Sequence, residues 1–247
     1  SVCASAVAKK TANCIELENN NALKNPFFGN TQLQGGAVFK NNDELQTTGL
    51  GSVTSVGANN NGQSLVSTGN KKFSTYGAER LLKTAGSIVA TQLPAMEMLL
   101  GLDKVEVVGA DVTGTSLELA NNQVLKTIGG LRSCSKFEGA LVLQKNPVLA
   151  TLEGLQKLTE LGCPDCQGRN ILGDSILIYS NPELKSLSGL ENLHGELAGA
   201  ISISNNPKLI SIEALKGIRN AGANVAGTSL ELVNNKNLKD LVGLDDI

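Results

Sequence analysis

The residues of this chain that could do chemistry are few, namely five cysteines and a single histidine. The cysteines are Cys3, Cys14, Cys134, Cys163 and Cys166. Cys163 and Cys166 form a C-x-x-C, a spacing found in zinc sites and in redox-active pairs. A zinc site needs two further ligands, and only Cys134 and His194 could supply them. A redox pair is expected where a strand leads into a helix of a βαβ unit, and the sequence around Cys163 lacks that context.

The cysteine pattern therefore favours structural disulfides over a metal site. We expect Cys3 and Cys14 to pair and to staple an N-terminal cap formed by residues 1–14. We expect Cys134 to bridge to Cys163 or Cys166, and which of the two it chooses is left open. The alternative is that these last three cysteines are reduced, buried thiols. Disulfides would imply an oxidising compartment.

Catalytic constellations are not apparent in the sequence. With His194 alone, no pair of nucleophile and base can be proposed from spacing. Glu118 and Glu231 occupy equivalent positions of the repeat described below, but several coils of about 4.8 Å each separate them. That is too far for the paired carboxylates of a glycosidase. The sequence predicts no enzyme, no metal and no cofactor.

Composition limits the possible partners. The chain has 21 basic and 23 acidic residues and a formal net charge of −2, which gives no electrostatic reason to expect nucleic acid. No run of 18 apolar residues is present, so no membrane span is predicted. Aromatic residues make up only 3% of the chain, so the core must be aliphatic.

An internal repeat is the strongest signal in the chain. The pattern aliphatic-x-aliphatic-x-x-Asn-x-x-Leu recurs with its asparagine at Asn122, Asn146, Asn181, Asn206 and Asn235. Weaker copies are centred on Asn20, Asn42 and Asn70. A further weak copy is centred on Leu93, which stands where the other copies have asparagine. About nine units of roughly 22–35 residues indicate a solenoid.

Each unit is too short for a long helix, so the repeat predicts an all-β fold. We expect one parallel β-helix of about nine coils over residues 1–247, with a cysteine-containing insertion at 156–174. The leucine follows the asparagine one residue later than in a leucine-rich repeat, which disfavours a horseshoe. Asparagine suits the corner of each coil because it tolerates unusual backbone angles, and stacked asparagines could form a hydrogen-bonded ladder.

Two copies of the repeat also resemble a known family. The segments SILIYSNPELKSLSGLENL (175–193) and AISISNNPKLISIEALKGI (200–218) are similar to the repeats of the receptor L-domain family. The resemblance is close over residues 114–247 and loose over 14–102. It implies a right-handed β-helix, usually extracytoplasmic, that binds proteins or builds surfaces without catalysis. It supplies no binding residue to carry over.

Residues between the two buried aliphatics should point outward from the main sheet. They are Glu16, Val38, Val66, Val89, Glu118, Val142, Leu177, Ser202 and Glu231. Because the middle of this set is apolar, we predict a partner-binding strip. Its residues are Val38, Val66, Val89, Val142, Leu177 and, two positions further on, Tyr179. The alternatives are that β-branched residues simply favour strands, or that an insertion covers the strip.

The sequence thus predicts an extracytoplasmic, non-catalytic binding or adhesion module, secreted or at a cell surface, with a protein partner. The alternatives are a structural subunit of a larger assembly and, less favoured, a carbohydrate-active β-helix. The chain is rich in asparagine yet has no N-x-Ser/Thr acceptor, so a periplasm, a thylakoid or another organelle lumen is the alternative setting. The last coil, ending at 244–247, shows no polar cap and could make an edge or end-to-end contact.

Overall fold

The computed structural model describes residues 14–29, 31–162 and 168–244 of the chain. These residues form an all-β solenoid of parallel sheets, with one strand of a nine-stranded sheet in each coil. The predicted parallel β-helix of about nine coils is therefore confirmed. No helix in this part of the chain is long and apolar enough to cross a membrane.

The main sheet, sheet A, takes one strand from every coil, and its strands are hydrogen-bonded in coil order. They are β1 (Ile15–Glu18), β3 (Ala37–Lys40), β5 (Gln63–Thr68), β7 (Ser87–Thr91), β9 (Thr115–Ala120), β11 (Ala140–Gln144), β13 (Asp174–Tyr179), β15 (Ala200–Ser204) and β17 (Leu230–Val233).

The second side of the solenoid consists of short strands. Sheet B contains β2 (Gln32–Leu33), β4 (Ser55–Val56), β6 (Lys83–Thr84), β8 (Val107–Val108), β10 (Lys136–Phe137) and β12 (Glu160–Leu161). Sheet C pairs β14 (Gly195–Leu197) with β16 (Ile218–Ala221). The third side has isolated bridges such as Thr47–Thr75 and, within the described residues, the 3-10 turns Gly129–Leu131 and Glu213–Leu215.

The core is a stack of aliphatic side chains in register. Leu117, Leu141, Ile176 and Ile201 follow one another on neighbouring strands of sheet A, and each is fully buried. Fully burying one such side chain stabilises the fold by roughly 1.5–3 kcal/mol. The alternation of buried and outward residues in each strand is what selects this register, because a slip of one residue would invert every side chain.

The repeated asparagines form the predicted ladder, which is confirmed in detail. In a typical step, the backbone N–H of Asn122 donates to Oδ1 of Asn146 at 3.1 Å, and Nδ2 of Asn146 donates to the carbonyl of Leu119 at 2.9 Å. The same step joins Asn181 to Asn206 at 2.9 Å. These asparagines are fully buried, so each side chain satisfies corner groups that water does not reach.

A different residue bends the corner. The position immediately before each ladder residue has a positive φ, between 51° and 59° where it is not glycine. The residues are Asn19, Asn41, Gly69, Gln92, Asn121, Lys145, Ser180, Asn205 and Asn234. The expectation that the ladder asparagine itself takes the unusual backbone angle is therefore wrong. In an Asn-Asn pair the first residue turns the chain, and the second bonds to the neighbouring coils.

The coils alternate in length on the side between sheets B and A. Every second coil carries a six-residue loop there, whereas the coils between them pass directly from one sheet to the other. Residues 168–173, the end of the predicted insertion at 156–174, form one of these loops. Residues 163–167 lie outside the described part of the chain, as does the predicted N-terminal cap except for Cys14.

Candidate interaction surface

The nine residues predicted to point outward do form one ladder. Glu16 pairs with Val38, Val38 with Val66, and Val66 with Val89, and the pairing continues through Glu118 to Glu231. Val38, Val66 and Val89 form a cluster separate from the main core, as expected for the other face of sheet A. The predicted register is confirmed along the whole sheet.

The strip is not the solvent-exposed surface that the sequence suggested. Val38, Val66, Val89 and Val142 are only 2–6% exposed, and Leu177 and Tyr179 are half-buried. In-register stacking presses each valine against the side chains of the coils above and below. A loop also approaches this face, because Oγ of Ser87 donates to Oδ2 of Asp111 at 3.0 Å beside the strip. The expectation of an exposed valine strip is therefore corrected.

Four equivalent loops take the place of the strip as the exposed feature of the fold. We call them loop I (57–62), loop II (109–114), loop III (168–173) and loop IV (222–227). Each starts with glycine, has Asn or Asp at its third position and ends with a glycine of positive φ, from 74° to 88°. The final glycine is required because an L side chain rarely adopts this backbone conformation.

The same hydrogen bonds fold all four loops. In loop II, Oδ1 of Asp111 accepts the backbone N–H groups of Thr113 at 2.9 Å and Thr115 at 3.1 Å. Asn59, Asn170 and Asn224 do the same with the residues two and four positions further on. One side-chain oxygen thus closes each loop, which fixes the direction of the residues at its tip.

The loop tips carry the most exposed apolar side chains. Val112, Ile171 and Val225 are 71%, 74% and 77% exposed, and within the described residues only Phe27 exceeds them among the large hydrophobics. Leu172, at 51%, is next to Ile171. We call Val112, Ile171, Leu172 and Val225 the loop ridge. Because the loops recur every second coil, neighbouring tips follow each other at roughly 10 Å.

Two of the three contacts between neighbouring loops are closed by backbone hydrogen bonds. The N–H of Val112 in loop II donates to the carbonyl of Asn61 in loop I at 3.0 Å. The N–H of Val225 in loop IV donates to the carbonyl of Leu172 in loop III at 2.8 Å. Between loops II and III there is instead a notch of about 330 Å³, lined by Val112, Thr113, Arg169, Asn170 and Ile171.

One acidic group has an altered proton affinity. Glu118 lies in the outward ladder between Val89 and Val142. Its burial raises the pKa of its carboxyl, and the negative charge of Asp111 raises it further, while a hydrogen bond from Gln144 opposes the shift. Both carboxylate oxygens of Asp111 already accept hydrogen bonds within the fold.

The predicted bridge from Cys134 to Cys163 or Cys166 is wrong. Cys134 is a free thiol, fully buried in the aliphatic core, and burial raises its pKa to about 12. Its side chain points into the solenoid among the core leucines rather than toward the loops. Cys3, Cys163 and Cys166 lie outside the described residues, so the pairing of Cys3 with Cys14 stays a prediction.

The described residues contain no group of three or more His, Cys, Asp or Glu side chains that could hold a metal ion. His194 is exposed, and its Nδ1 lies 2.8 Å from the carbonyl oxygen of Asn192. Glu231, at the other end of the outward ladder from Glu16, is four strands from Glu118 in sheet A.

The loop motif is the signal that sequence reasoning missed. The four loops with the two residues that follow them read GANNNGQS, GADVTGTS, GRNILGDS and GANVAGTS. Aligning the chain on the ladder asparagine hides this motif, because it is present in only every second coil. A search at twice the coil period would have found it, and an apolar residue next to the turn-forming Asn or Asp would have indicated the exposed tips.

Comparisons of the chain with protein-family models, with curated proteins and with solved structures found no match.

Proposed function

We propose that this chain is a non-catalytic binding or adhesion module, of the receptor L-domain type, that docks a protein partner on the loop ridge. The observation that carries the proposal is the exposure of Val112, Ile171 and Val225, each more than 70%, on loops tied down by hydrogen bonds. Burying such side chains against a partner is favourable, and little order has to be gained because the loops are already folded.

The alignment of the ridge supports protein as the partner. Its side chains follow one another along the solenoid at roughly 10 Å, so the ridge is an extended edge rather than a pocket for a small molecule. A macromolecular surface can contact several tips at once.

An extracytoplasmic setting belongs to the same proposal. The absence of N-x-Ser/Thr acceptors is compatible with a bacterial exterior or an organelle lumen, and the resemblance to L-domains favours a secreted or surface location. The free thiol of Cys134 is compatible with an oxidising compartment because it is fully buried and its raised pKa leaves it protonated and unreactive.

Photo-crosslinking can test the proposed surface. A photoreactive amino acid at position 112 or 225 should capture one set of proteins from extracts of the native source. The same group at position 27 is the matched control, because Phe27 is 79% exposed but lies outside the four loops. The captured protein is then purified and titrated against the native chain and against a Val112→Ser, Ile171→Ser, Val225→Ser variant.

We expect the triple variant to bind at least about ten-fold more weakly, since a few central apolar residues usually carry most of the binding energy. A Phe27→Ser variant should bind like the native chain. Equal affinities for the native chain and the triple variant, with an intact fold by circular dichroism, would contradict the proposed docking surface.

A structural subunit is the second candidate, and the last described coil favours it. Within the described residues, β17 pairs with β15 alone, and Leu230 and Leu232 are half-buried where Ile201 and Ile203 are fully buried. A coil stacked on β17 would complete the burial of these leucines. Sedimentation that shows concentration-dependent stacking, lost in a Leu232→Lys variant, would support this function over the first.

A further inference from the structure

The notch between loops II and III is where the chain departs from its own repeat. Because the notch is part of the proposed docking surface, what is inferred from it rests on the proposed function. The second loop position is Ala58, Ala110 and Ala223 in loops I, II and IV, but Arg169 in loop III. The short coil between loops II and III also differs. It has Glu138 where the short coils between the hydrogen-bonded loops have Ala85 and Ala198.

Arg169 is a cation without a partner in the part of the chain that the structure describes. It is exposed, and it forms no ion pair or side-chain hydrogen bond with the described residues. The six ion pairs found among the described residues join other side chains. A guanidinium offers a fork of N–H donors that fits a carboxylate, and charge-assisted bonds of this type are among the strong ones.

The walls of the notch are apolar at the rim. Val112 and Ile171, on either side, are 71% and 74% exposed, while the remaining lining consists of Arg169, Thr113 and the buried Asn170. The amide oxygen of Asn170 is already used by the N–H groups of Leu172 and Asp174. The notch therefore combines one unpaired cation with two aliphatic side chains at a spacing that a short peptide can span.

The neighbouring acids that the structure describes do not neutralise the site from within. Asp111 is directed into its own loop and toward Ser87, where its two oxygens accept hydrogen bonds. Glu138 is exposed on the short coil between the two loops, and it forms no ion pair with Arg169. Its charge opposes an incoming carboxylate, so neutralising it should strengthen binding.

We propose that this notch binds an acidic side chain of the protein partner, flanked by aliphatic residues, with the carboxylate on Arg169 and the aliphatic groups on Val112 and Ile171. The charge on Arg169 selects the partner's acidic residue. The loop ridge on either side then extends the contact along the solenoid.

Blocked tripeptides provide the test. Acetyl-Val-Glu-Val-amide and acetyl-Val-Gln-Val-amide are titrated into the whole chain while the backbone amide signals are followed by NMR. The Glu peptide should shift the amides of Val112, Thr113, Ile171 and Leu172, with an affinity at least about five-fold above that of the Gln peptide. Raising the salt concentration should reduce this preference.

The decisive variant is Arg169→Ala, which restores the residue found in the other three loops and so preserves the fold. It should bind the two peptides equally. Arg80→Ala is the matched control, since Arg80 is also exposed but lies outside the loops, and it should keep the preference. Glu138→Gln should tighten binding of the Glu peptide.

Several results would overturn the inference. They are equal binding of the two peptides by the native chain, a preference that survives in Arg169→Ala, and shifts confined to residues outside the notch. Acetate or inorganic phosphate that matches the affinity of the Glu peptide would show an anion site without the aliphatic requirement, and would also reject it. If the notch fails these tests but a partner still needs the loop ridge for binding, the proposed function stands and only the acidic anchor is rejected.

Discussion

Two adjacent residues with different roles form the corner of each coil. The first has a positive φ, and the second is the ladder asparagine that bonds to both neighbouring coils. Asparagine and glycine adopt the left-handed conformation more easily than other residues, which explains the Asn-Asn pairs at 19–20, 41–42, 121–122, 205–206 and 234–235. Gln92, Lys145 and Ser180 take the same conformation without that advantage.

Exchanging the corner residues of two adjacent coils tests this division. Lys145→Asn should stabilise the fold by about 0.5–1 kcal/mol, because the left-handed backbone becomes less costly. Asn121→Lys should destabilise it by a similar amount, since Asn121 has φ of 58° at the equivalent corner. Urea unfolding measures both, and two changes of the same sign would contradict the interpretation.

The carboxyl of Glu118 opposes folding at neutral pH. Because burial raises its pKa in the folded chain, the folded state binds more protons than the unfolded state between the two pKa values. The free energy of unfolding therefore falls as the pH rises through that window, which begins near the ordinary value for glutamate of about 4.3. Above the window the full cost of the buried charge remains.

A Glu118→Gln variant should consequently have a higher melting temperature than the native chain at pH 7. The gain should shrink toward zero below about pH 4, where the native carboxyl is protonated in both states. Glu16→Gln, at the exposed start of the same ladder, should change the melting temperature little at either pH. A gain for Glu118→Gln that is the same at both pH values would show that charge is not the cause.

Each of the four loops depends on the side-chain oxygen at its third position. Replacing Asp111 by alanine removes the acceptor for the N–H groups of Thr113 and Thr115 and for Oγ of Ser87. We expect a loss of about 1–3 kcal/mol and faster hydrogen exchange at Thr113 and Thr115. Asp111→Asn should retain most of the stability, because Asn59, Asn170 and Asn224 fill this position in the other loops. Unchanged exchange in Asp111→Ala would contradict the role of this oxygen.

The sequence predicted these elements unevenly, for a physical reason. Strand register follows from which residues are aliphatic, so the outward ladder from Glu16 to Glu231 could be written down residue by residue. Burial of the outward face depends on what else lies against it, so the low exposure of Val38 and Val66 could not be read from their own strands. A sequence alone also does not show which cysteines lie close enough to form a disulfide. Cys134 points into the core instead of toward the loops.

Along the solenoid, the structural unit is two coils rather than one. The short coil that follows a loop has glycine where it passes the end of that loop, at Gly86, Gly139 and Gly199. A Cβ atom on these residues would lie 1.7, 2.3 and 2.1 Å from the carbonyl oxygens of Gly62, Gly114 and Gly173. Each of these short coils therefore needs glycine where it lies on the loop-bearing coil before it, and loops I to IV lie two coils apart.

Deleting one coil or two from the middle of the solenoid tests whether the repeating unit is one coil or two. Removing residues 83–135 takes out two coils and joins Leu82 to Lys136. Removing residues 83–106 takes out one coil and joins Leu82 to Val107. Both junctions keep the strand register, because Lys83, Val107 and Lys136 are paired on neighbouring strands of sheet B. The longer deletion places Gly139 against Gly62, as Gly86 is now. The shorter one places Ala110 there, so its Cβ meets the carbonyl oxygen of Gly62 and loop II lies directly on loop I.

We therefore expect the shorter deletion to be the more harmful one. In a solenoid each coil contacts only its neighbours, so the two-coil deletion should unfold cooperatively at a temperature near that of the native chain. The chain that lacks one coil retains more than twenty residues that the other deletion removes, yet it should melt roughly 5–10 °C lower because its junction is overpacked. Calorimetry on both deletions measures the difference, and equal melting temperatures would mean that a single coil is the repeating unit.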